Sequence, residues 1–279
     1  MTLRDALLEA SATIARREAE TLLAHVLHRD RAWLLAHGDD DLASADLEAL
    51  RSLVARRAAQ HPVQHLTGAQ EFFGLSLRVT PDVLIPRPET EHLVEAVVDW
   101  ARSQPDQHPR IVDVGTGSGA IVIALASALE HASLTAIDIS PAALAVAHDN
   151  AERLGFANRI RFLQGDLLTP LLDPGLTIPA FDVIASNPPY VAVDDASTLA
   201  AEVRDHEPPL ALYAGPTGLD IYRRLVPQAQ DLLRAGGLLA LEIGYGQREA
   251  VSELLAGWQS VRFVDDYAGI PRVALAIRP

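Results

Sequence analysis

Apolar residues recur at spacings of three and four along residues 2–60. Leu3, Leu7 and Leu8 make one stripe, Ala19, Leu22, Leu23, Val26 and Leu27 a second, and Leu47, Leu50, Leu53 and Val54 a third. This is the period of helices with one buried face, so the segment is expected to be helical. Glu18 to Thr21 and Arg29-Asp30 read as solvated edges, and Gly38-Asp39-Asp40-Asp41 as a polar loop. Over 68–86 the pattern changes: Glu71-Phe72-Phe73-Gly74-Leu75-Ser76-Leu77-Arg78-Val79 alternates around a glycine, and Pro81, Pro86 and Pro88 punctuate the stretch beyond it. A small β-hairpin joining two domains is expected there.

From residue 89 onward, strand and helix patterns alternate. A helix over 89–102 precedes a strand at 110–114, a helix at 119–130, a strand at 133–138 and a helix at 141–154. Strands at 160–164 and 181–186 come next, then a helix near 219–234, a strand at 237–243, a helix at 247–256 and closing strands at 260–265 and 272–278. Such alternation implies an α/β fold, a mainly parallel sheet covered on both faces. The last link, Asp266 to Pro271, is too short for a helical crossover, so the final strand is expected to run antiparallel. The expected divisions are a helical domain at 1–67, a hairpin linker at 68–88 and an α/β domain at 89–279.

Composition narrows the function classes. The chain has 279 residues, 49 % of them hydrophobic and 22 % charged, ordinary for a globular protein with a sizeable core. No apolar run reaches the roughly 18–20 residues of a membrane span. The start, Met1-Thr2-Leu3-Arg4-Asp5, is unlike a signal peptide. Cysteine is absent, which removes disulfides, thiolate nucleophiles and thiolate metal sites. A cytoplasmic monomer without metal or membrane contact is expected. All 23 basic residues are Arg, so no Schiff-base or phosphate-loop lysine exists. The net charge of −14 opposes direct nucleic-acid binding, which rests on neutralising phosphates.

Arg110-Ile111-Val112-Asp113-Val114-Gly115-Thr116-Gly117-Ser118-Gly119 is a buried strand entering a glycine turn and then an apolar helix. Glycines permit a tight turn and let a ligand approach backbone N–H groups at the helix start. Asp138 ends the next strand, where an acid can hold ribose hydroxyls. The Asp-x-Gly-x-Gly-x-Gly spacing is closer to S-adenosylmethionine enzymes than to the Gly-x-Gly-x-x-Gly of dinucleotide enzymes. A turn built only for packing is the plain alternative. Asp166, after the third of these strands, stands where an adenine amine could bind or a helix could be capped. Asp113 is read as holding the turn.

Asn187-Pro188-Pro189-Tyr190 ends the fourth strand, expected beside the first and facing the same cleft. Two prolines fix this backbone. An amide or aromatic amine nitrogen is a poor nucleophile because its lone pair is delocalised. Two acceptors aimed at its N–H bonds would draw it toward a tetrahedral form and turn the lone pair to a sulfonium methyl. The Asn187 side-chain oxygen and the Pro188 carbonyl can be those acceptors, and Tyr190 offers a flat face for stacking. No prior deprotonation is needed, because well-oriented encounters supply roughly 7–11 kcal/mol. A rigid turn that caps a strand is the alternative.

These residues resemble the release factor glutamine methyltransferases, the PrmC/HemK family, along nearly the whole chain. The likeness includes Pro62-Val63-Gln64-His65-Leu66-Thr67-Gly68, Val83-Leu84-Ile85-Pro86-Arg87-Pro88-Glu89-Thr90-Glu91 and Asp138-Ile139-Ser140-Pro141. It continues in Glu202-Val203-Arg204-Asp205-His206-Glu207-Pro208 and Leu241-Glu242-Ile243-Gly244-Tyr245-Gly246-Gln247. The resemblance implies a Rossmann-like seven-stranded class I methyltransferase sheet, a hairpin linker and an N-terminal helical domain that docks the substrate. It implies methylation of the glutamine amide in the Gly-Gly-Gln loop of class I peptide chain release factors. By position, Gly115, Thr116, Gly117, Ser118 and Gly119 would cradle the methionine part of S-adenosylmethionine. Asp138 would bind ribose, Asp166 and Leu167 would flank adenine, Asn187 would also touch the cofactor, and Asn187, Pro188, Pro189 and Tyr190 would hold the substrate glutamine. An aromatic residue is common in the family where Leu167 stands.

Asn-Pro-Pro-Tyr is shared with adenine methyltransferases of nucleic acids, so that class stays open as an alternative, as does a non-enzymatic cofactor scaffold. An adenine enzyme would extrude its base and needs a positive groove. Arg87 and Glu89, between hairpin and domain, are expected either to form an ion pair or to shape the substrate cleft.

Overall fold

The structure, a computed structural model, describes residues 1–172 and 180–279. Five helices come first: α1 (Leu3–Ser11), α2 (Arg16–Leu27), α3 (Arg31–Ala36), α4 (Ser44–Ala58) and α5 (Val63–Thr67). A hairpin of β1 (Ala69–Phe72) and β2 (Leu75–Arg78) leads to α6 (Glu91–Ser103). Then come β3 (Arg110–Val114), α7 (Ala120–Ala128), β4 (Ser133–Asp138), α8 (Pro141–Arg153), β5 (Ile160–Gln164) and β6 (Phe181–Ser186). A short α9 (Ala201–His206) precedes α10 (Asp220–Leu232), β7 (Leu233–Glu242), α11 (Arg248–Leu254), β8 (Gln259–Asp265) and β9 (Pro271–Ile277).

The chain forms two compact units. The first holds Met1–Ala69 with Leu199–His206, and the second holds the remainder. In the first unit, Thr2 and Asp5 cap α1 reciprocally, and the Asp30 carboxylate accepts from Trp33 N at 2.7 Å to start α3. Its core is Leu3, Ala6, Leu7, Leu22, Leu23 and Leu50 with their neighbours. Two residues depart from the pattern expected of them. Leu8 is 57 % exposed, because Ala6 and Ala10 continue the buried stripe of α1 instead. Glu20 is not a solvated edge but only 2 % exposed, its two oxygens gripped by Arg16 Nε at 3.0 Å and Arg31 Nε at 2.6 Å. Glu20→Ala is expected to lower the stability of the protein by about 1–2 kcal/mol, less than two buried charged bonds would suggest because both arginines can rehydrate. A denaturant midpoint unchanged from wild type would show that this pairing contributes nothing.

α9 belongs to the first unit through Arg57 on α4, whose guanidinium pairs with Glu18 at 2.8 Å and Glu202 at 2.6 Å. The sequence pattern puts residues 199–206 in the α/β domain instead, since nothing local announces a partner so distant along the chain.

In the second unit the hairpin turn Phe73-Gly74 has positive φ at both residues, and the Glu91 carboxylate holds it by accepting from Phe73 N at 2.9 Å. The seven-stranded sheet has the order β5-β4-β3-β6-β7-β9-β8. All neighbours are parallel except β9, which runs antiparallel to both β7 and β8, as the short final link requires. Residues of β3 and β6 alternate between faces: Ile111, Val183 and Ala185 enter the layer under α6 and α7, while Val112, Val114 and Ile184 enter the layer under α10 and α11. The strand β7 begins at Leu233, four residues before the apolar run, because a register shift lets Leu233 pair with Phe181. From β3 the chain winds outward to β5 and then returns to β6, so the reversal point lies between β3 and β6. Ligands bind at such a point, beyond the carboxyl ends of the strands.

Candidate active site

The loops leaving β3 and β6 meet over a cavity of about 260 Å³. On the β3 side, Gly115 N and Thr116 N donate to the Ile137 carbonyl at 2.8 and 3.0 Å, which seats the glycine turn against β4. Asp138 is 9 % exposed, and its carboxylate accepts from Gly117 N at 2.8 Å and Ser140 N at 2.9 Å. Burial raises its pKa above the ordinary carboxylate range, against the pull of those N–H groups. Asp113 is fully buried behind the loop and accepts from Thr116 Oγ1 at 2.6 Å and Val122 N at 3.3 Å. Burial pushes it up to about 7. It ties the turn to α7, as expected of it from the sequence.

Gly119 begins α7 with φ +83°, and a Cβ there would lie 2.9 Å from Ile123 Cδ1 and 3.2 Å from Ala147 Cβ. Its work is therefore close packing of α7 on α8, and it lies off the cavity wall. Asn150 on α8 joins the same assembly. Its Nδ2 donates to the Ser118 and Arg78 carbonyls, each at 2.9 Å, and its Oδ1 accepts from Arg78 N at 2.7 Å.

On the β6 side, Asn187, Pro188 and Pro189 line the cavity together with Thr90. Asn187 Nδ2 donates to Thr90 Oγ1 at 3.1 Å, and Thr90 Oγ1 donates to Glu242 Oε2 at 2.5 Å. The Tyr190 hydroxyl reaches Glu242 Oε1 at 3.4 Å. Thr90 and Glu242 are only 3 % and 2 % exposed. Burial, opposed by hydrogen bonds from Thr90 and Tyr190, moves Glu242 up to about 7, and burial pushes the Tyr190 phenol up as well. Tyr190 does not line the cavity, in contrast to the stacking face expected of it. Its ring lies against Gly244, where a Cβ would come within 2.9 Å of Tyr190 Cδ2, and its carbonyl accepts from Gln247 Nε2 at 2.9 Å. The segment Leu241–Gln247 thus braces Asn-Pro-Pro-Tyr from behind.

At the far end, Asp166 pairs with Arg224 of α10, and both line the cavity beside Leu167. Leu167 holds a positive φ of 53° while packing on the core layer of α10 and α11. Asp166 caps no helix by its side chain: its carbonyl, not its carboxylate, accepts from Thr169. Arg87 pairs with Glu207 at 2.5 Å rather than with Glu89, and Glu207 also accepts from Ile85 N at 3.3 Å.

The structure therefore brings Gly115, Thr116, Gly117, Ser118, Asp138, Asp166 and Leu167 to one cavity with Asn187, Pro188 and Pro189. Sequence reasoning missed Thr90, Glu242, Asn150 and Arg224. The first two stand inside the segments Ile-Pro-Arg-Pro-Glu-Thr-Glu and Leu-Glu-Ile-Gly-Tyr-Gly-Gln, so the signal was present without its geometry. His61 and His65 have the spacing His-x-x-x-His, but the His61 ring packs against His206, centroids 4.1 Å apart and planes tilted by 32°. Among the described residues no group of three His, Cys, Asp or Glu side chains could hold a metal ion. No helix among them is long and apolar enough to cross a membrane.

Two family descriptions match the chain: a PrmC N-terminal domain over residues 2–68 and a methyltransferase domain over residues 105–260. The chain is 48 % identical to a release factor glutamine methyltransferase of Moorella thermoacetica, covering 100 % of this chain and 99 % of that one. It is 44 % identical to a release factor glutamine methyltransferase of Bordetella pertussis, covering 98 % of each. Among solved structures, a methyltransferase from Pyrococcus furiosus superposes with a TM-score of 0.54 at 20 % identity, over 80 % of this chain and 98 % of that one, which supports the fold alone. With relatives this similar matched from end to end, the chain belongs to the family of release factor glutamine methyltransferases.

Proposed function

We propose that this chain transfers a methyl group from S-adenosylmethionine to the side-chain amide nitrogen of the glutamine in the Gly-Gly-Gln loop of class I peptide chain release factors. The observation that carries the reading is the placement of Asn187 at the sheet's reversal point. Its nitrogen is tied to Thr90, and it lines the same cavity as Pro188 and the glycine turn. The relatives' names supply the substrate class.

The residues suit the cofactor. A glycine turn that lets a ligand come close to the backbone and a buried acid at the end of β4 suit a nucleoside with a charged tail. Asp166 and Leu167 would hold its base, and Asp138 its ribose. S-adenosylmethionine, when bound, supplies an electrophilic methyl on a cationic sulfur.

The protein's own part is positioning. The Asn187 Oδ1 and the Pro188 carbonyl accept the two N–H bonds of the substrate carboxamide. Both acceptors are rigid, one through Thr90 and one through the flanking prolines, so the nitrogen is held with its lone pair turned out of conjugation. The N–C bond would form as the methyl's bond to the sulfonium breaks, leaving a neutral thioether. One N–H proton would then pass to water, since the two amide-type oxygens orient it but cannot keep it, and no base acts beforehand. Holding reactants in this way is worth roughly 7–11 kcal/mol. The first unit serves as the docking surface for the release factor, and the enzyme acts as a cytoplasmic monomer.

Incubation of the purified protein with methyl-labelled S-adenosylmethionine and a class I release factor is expected to label the factor. The label is expected to vanish when the loop glutamine becomes alanine. Labelling of DNA or RNA, with the release factor untouched, would overturn the reading in favour of an adenine methyltransferase.

A further inference from the structure

We infer that Glu242 is a positioning residue for the reaction. Held by two hydroxyl donors, Thr90 and Tyr190, it sets the direction of the hydrogen-bond chain that decides which end of the Asn187 carboxamide faces the substrate. The inference rests on the reading of Asn187 as a substrate acceptor.

A carboxamide has two ends of nearly equal shape and opposite function, and only its partners choose between them. At residue 187 the choice is made by Thr90, whose hydroxyl has one proton. That proton goes to Glu242 over 2.5 Å, a length typical of a hydroxyl donating to a carboxylate. Thr90 Oγ1 can then only accept from Asn187, at 3.1 Å, which turns the Asn187 nitrogen inward and leaves Oδ1 for the substrate N–H. The polarity originates at Glu242 because a carboxylate is an acceptor only. Tyr190, donating to its other oxygen, ties the far end of the Asn-Pro-Pro-Tyr turn to the same group.

β7 is a core strand, with Leu239 and Leu241 fully buried, and an ionisable group at its end is disfavoured unless it serves a purpose. The charged and titratable groups facing Glu242 are Tyr190, Arg272 on β9, Glu89 in the 88–90 turn and Tyr222 on α10. Protonation of Glu242 would let its hydroxyl donate to Thr90. The Thr90 proton would then turn to Asn187, and the carboxamide would present its nitrogen, a donor, to the substrate's own donors. Activity should therefore fall with pH through Glu242's value of about 7. Its contribution to stability has the opposite sign. A carboxyl with a raised folded pKa binds its proton more tightly when folded, so this group stabilises the fold as pH drops from about 7 toward the unfolded value of 4.5. Loss of turnover over that interval is then not loss of fold.

The test is a double-mutant cycle on the purified full chain. Turnover on a release factor, cofactor Kd and thermal midpoint are measured for Glu242→Gln, Thr90→Val, Thr90→Ser and Asn187→Ala, and for the first two combined with Asn187→Ala. Glu242→Gln and Thr90→Val should each lose about 100-fold in kcat, the effect of misplacing one reacting group, with cofactor Kd changed less than about threefold. Thr90→Ser, which keeps the hydroxyl, should restore most of the rate. In the Asn187→Ala background the same two changes should cost less than about threefold, because the residue they act through is gone. The acid limb of kcat near pH 7 should be absent from Glu242→Gln. Additive losses in the cycle, or a Glu242→Gln enzyme with wild-type kcat and the same acid limb, would overturn the inference while leaving Asn187's role standing. Wild-type turnover by Asn187→Ala alone would overturn both readings, and it is recognisable as such from the single variant.

Discussion

Asn187→Ala is expected to lower kcat for release factor methylation by about 10²–10³-fold, the range seen when one preorganised hydrogen-bonding group is taken from a reacting centre. Cofactor affinity should stay within about threefold, because the glycine turn and Asp138 are braced from β4 and α8 and not through Asn187. Asn187→Asp should do no better, although aspartate also accepts hydrogen bonds. Its second oxygen would face Thr90 Oγ1, whose proton is committed to Glu242, so two lone-pair-bearing oxygens would meet across the 3.1 Å now spanned by an N–H donor. Single-turnover kinetics with equilibrium cofactor binding separates the two quantities. Turnover near wild type in either variant would remove the side-chain oxygen from the mechanism.

Gly119→Val should carry the largest stability loss of any single change in the glycine turn. A β-branched residue would be forced to φ +83°, where an L side chain costs about 1–2 kcal/mol. Its Cβ would also press on Ile123 and Ala147 at 2.9 and 3.2 Å, and such overpacking costs about 1–3 kcal/mol. Together these predict about 2–5 kcal/mol, or a fall of about 5–15 °C in the thermal midpoint for a unit of this size. Gly155→Val is the control: its φ is +82° but nothing lies within 4 Å of the added Cβ. Calorimetry should show a clearly smaller shift there. Equal shifts in the two variants would mean that packing of α7 on α8 is not what Gly119 provides.

Where local pattern and burial agree, the elements were legible in the chain itself. β3, β4 and β6 occupy the residues their apolar runs mark, because strands inside the sheet, covered on both faces, are mostly apolar. The antiparallel final strand was legible in the length of one link. The failures share a different cause. Glu20 reads as surface until Arg16 and Arg31 close over it, and residues 199–206 read as part of the α/β domain until Arg57 claims Glu202. Tyr190 looks like a stacking platform in a short motif, yet its ring lies against Gly244 and its hydroxyl reaches Glu242. In each case the deciding partner is remote in the chain or carries the opposite charge, and neither periodicity nor spacing reports it.

The chemistry of the site divides along the same line. Glycines after one strand, an acid after the next and Asn-Pro-Pro-Tyr after the fourth are local facts, and strand order alone brings them to one edge. Sequence by itself therefore determined the fold class, the place of the cleft and the residue types that face it. Only the tertiary structure decided that Thr90, 97 residues from Asn187, and Glu242, 152 residues from Thr90, stand behind that turn and orient its carboxamide. The reason is physical: a hydrogen bond has a direction, and that direction is set by whichever donors and acceptors folding brings within about 3 Å, not by those adjacent in the chain.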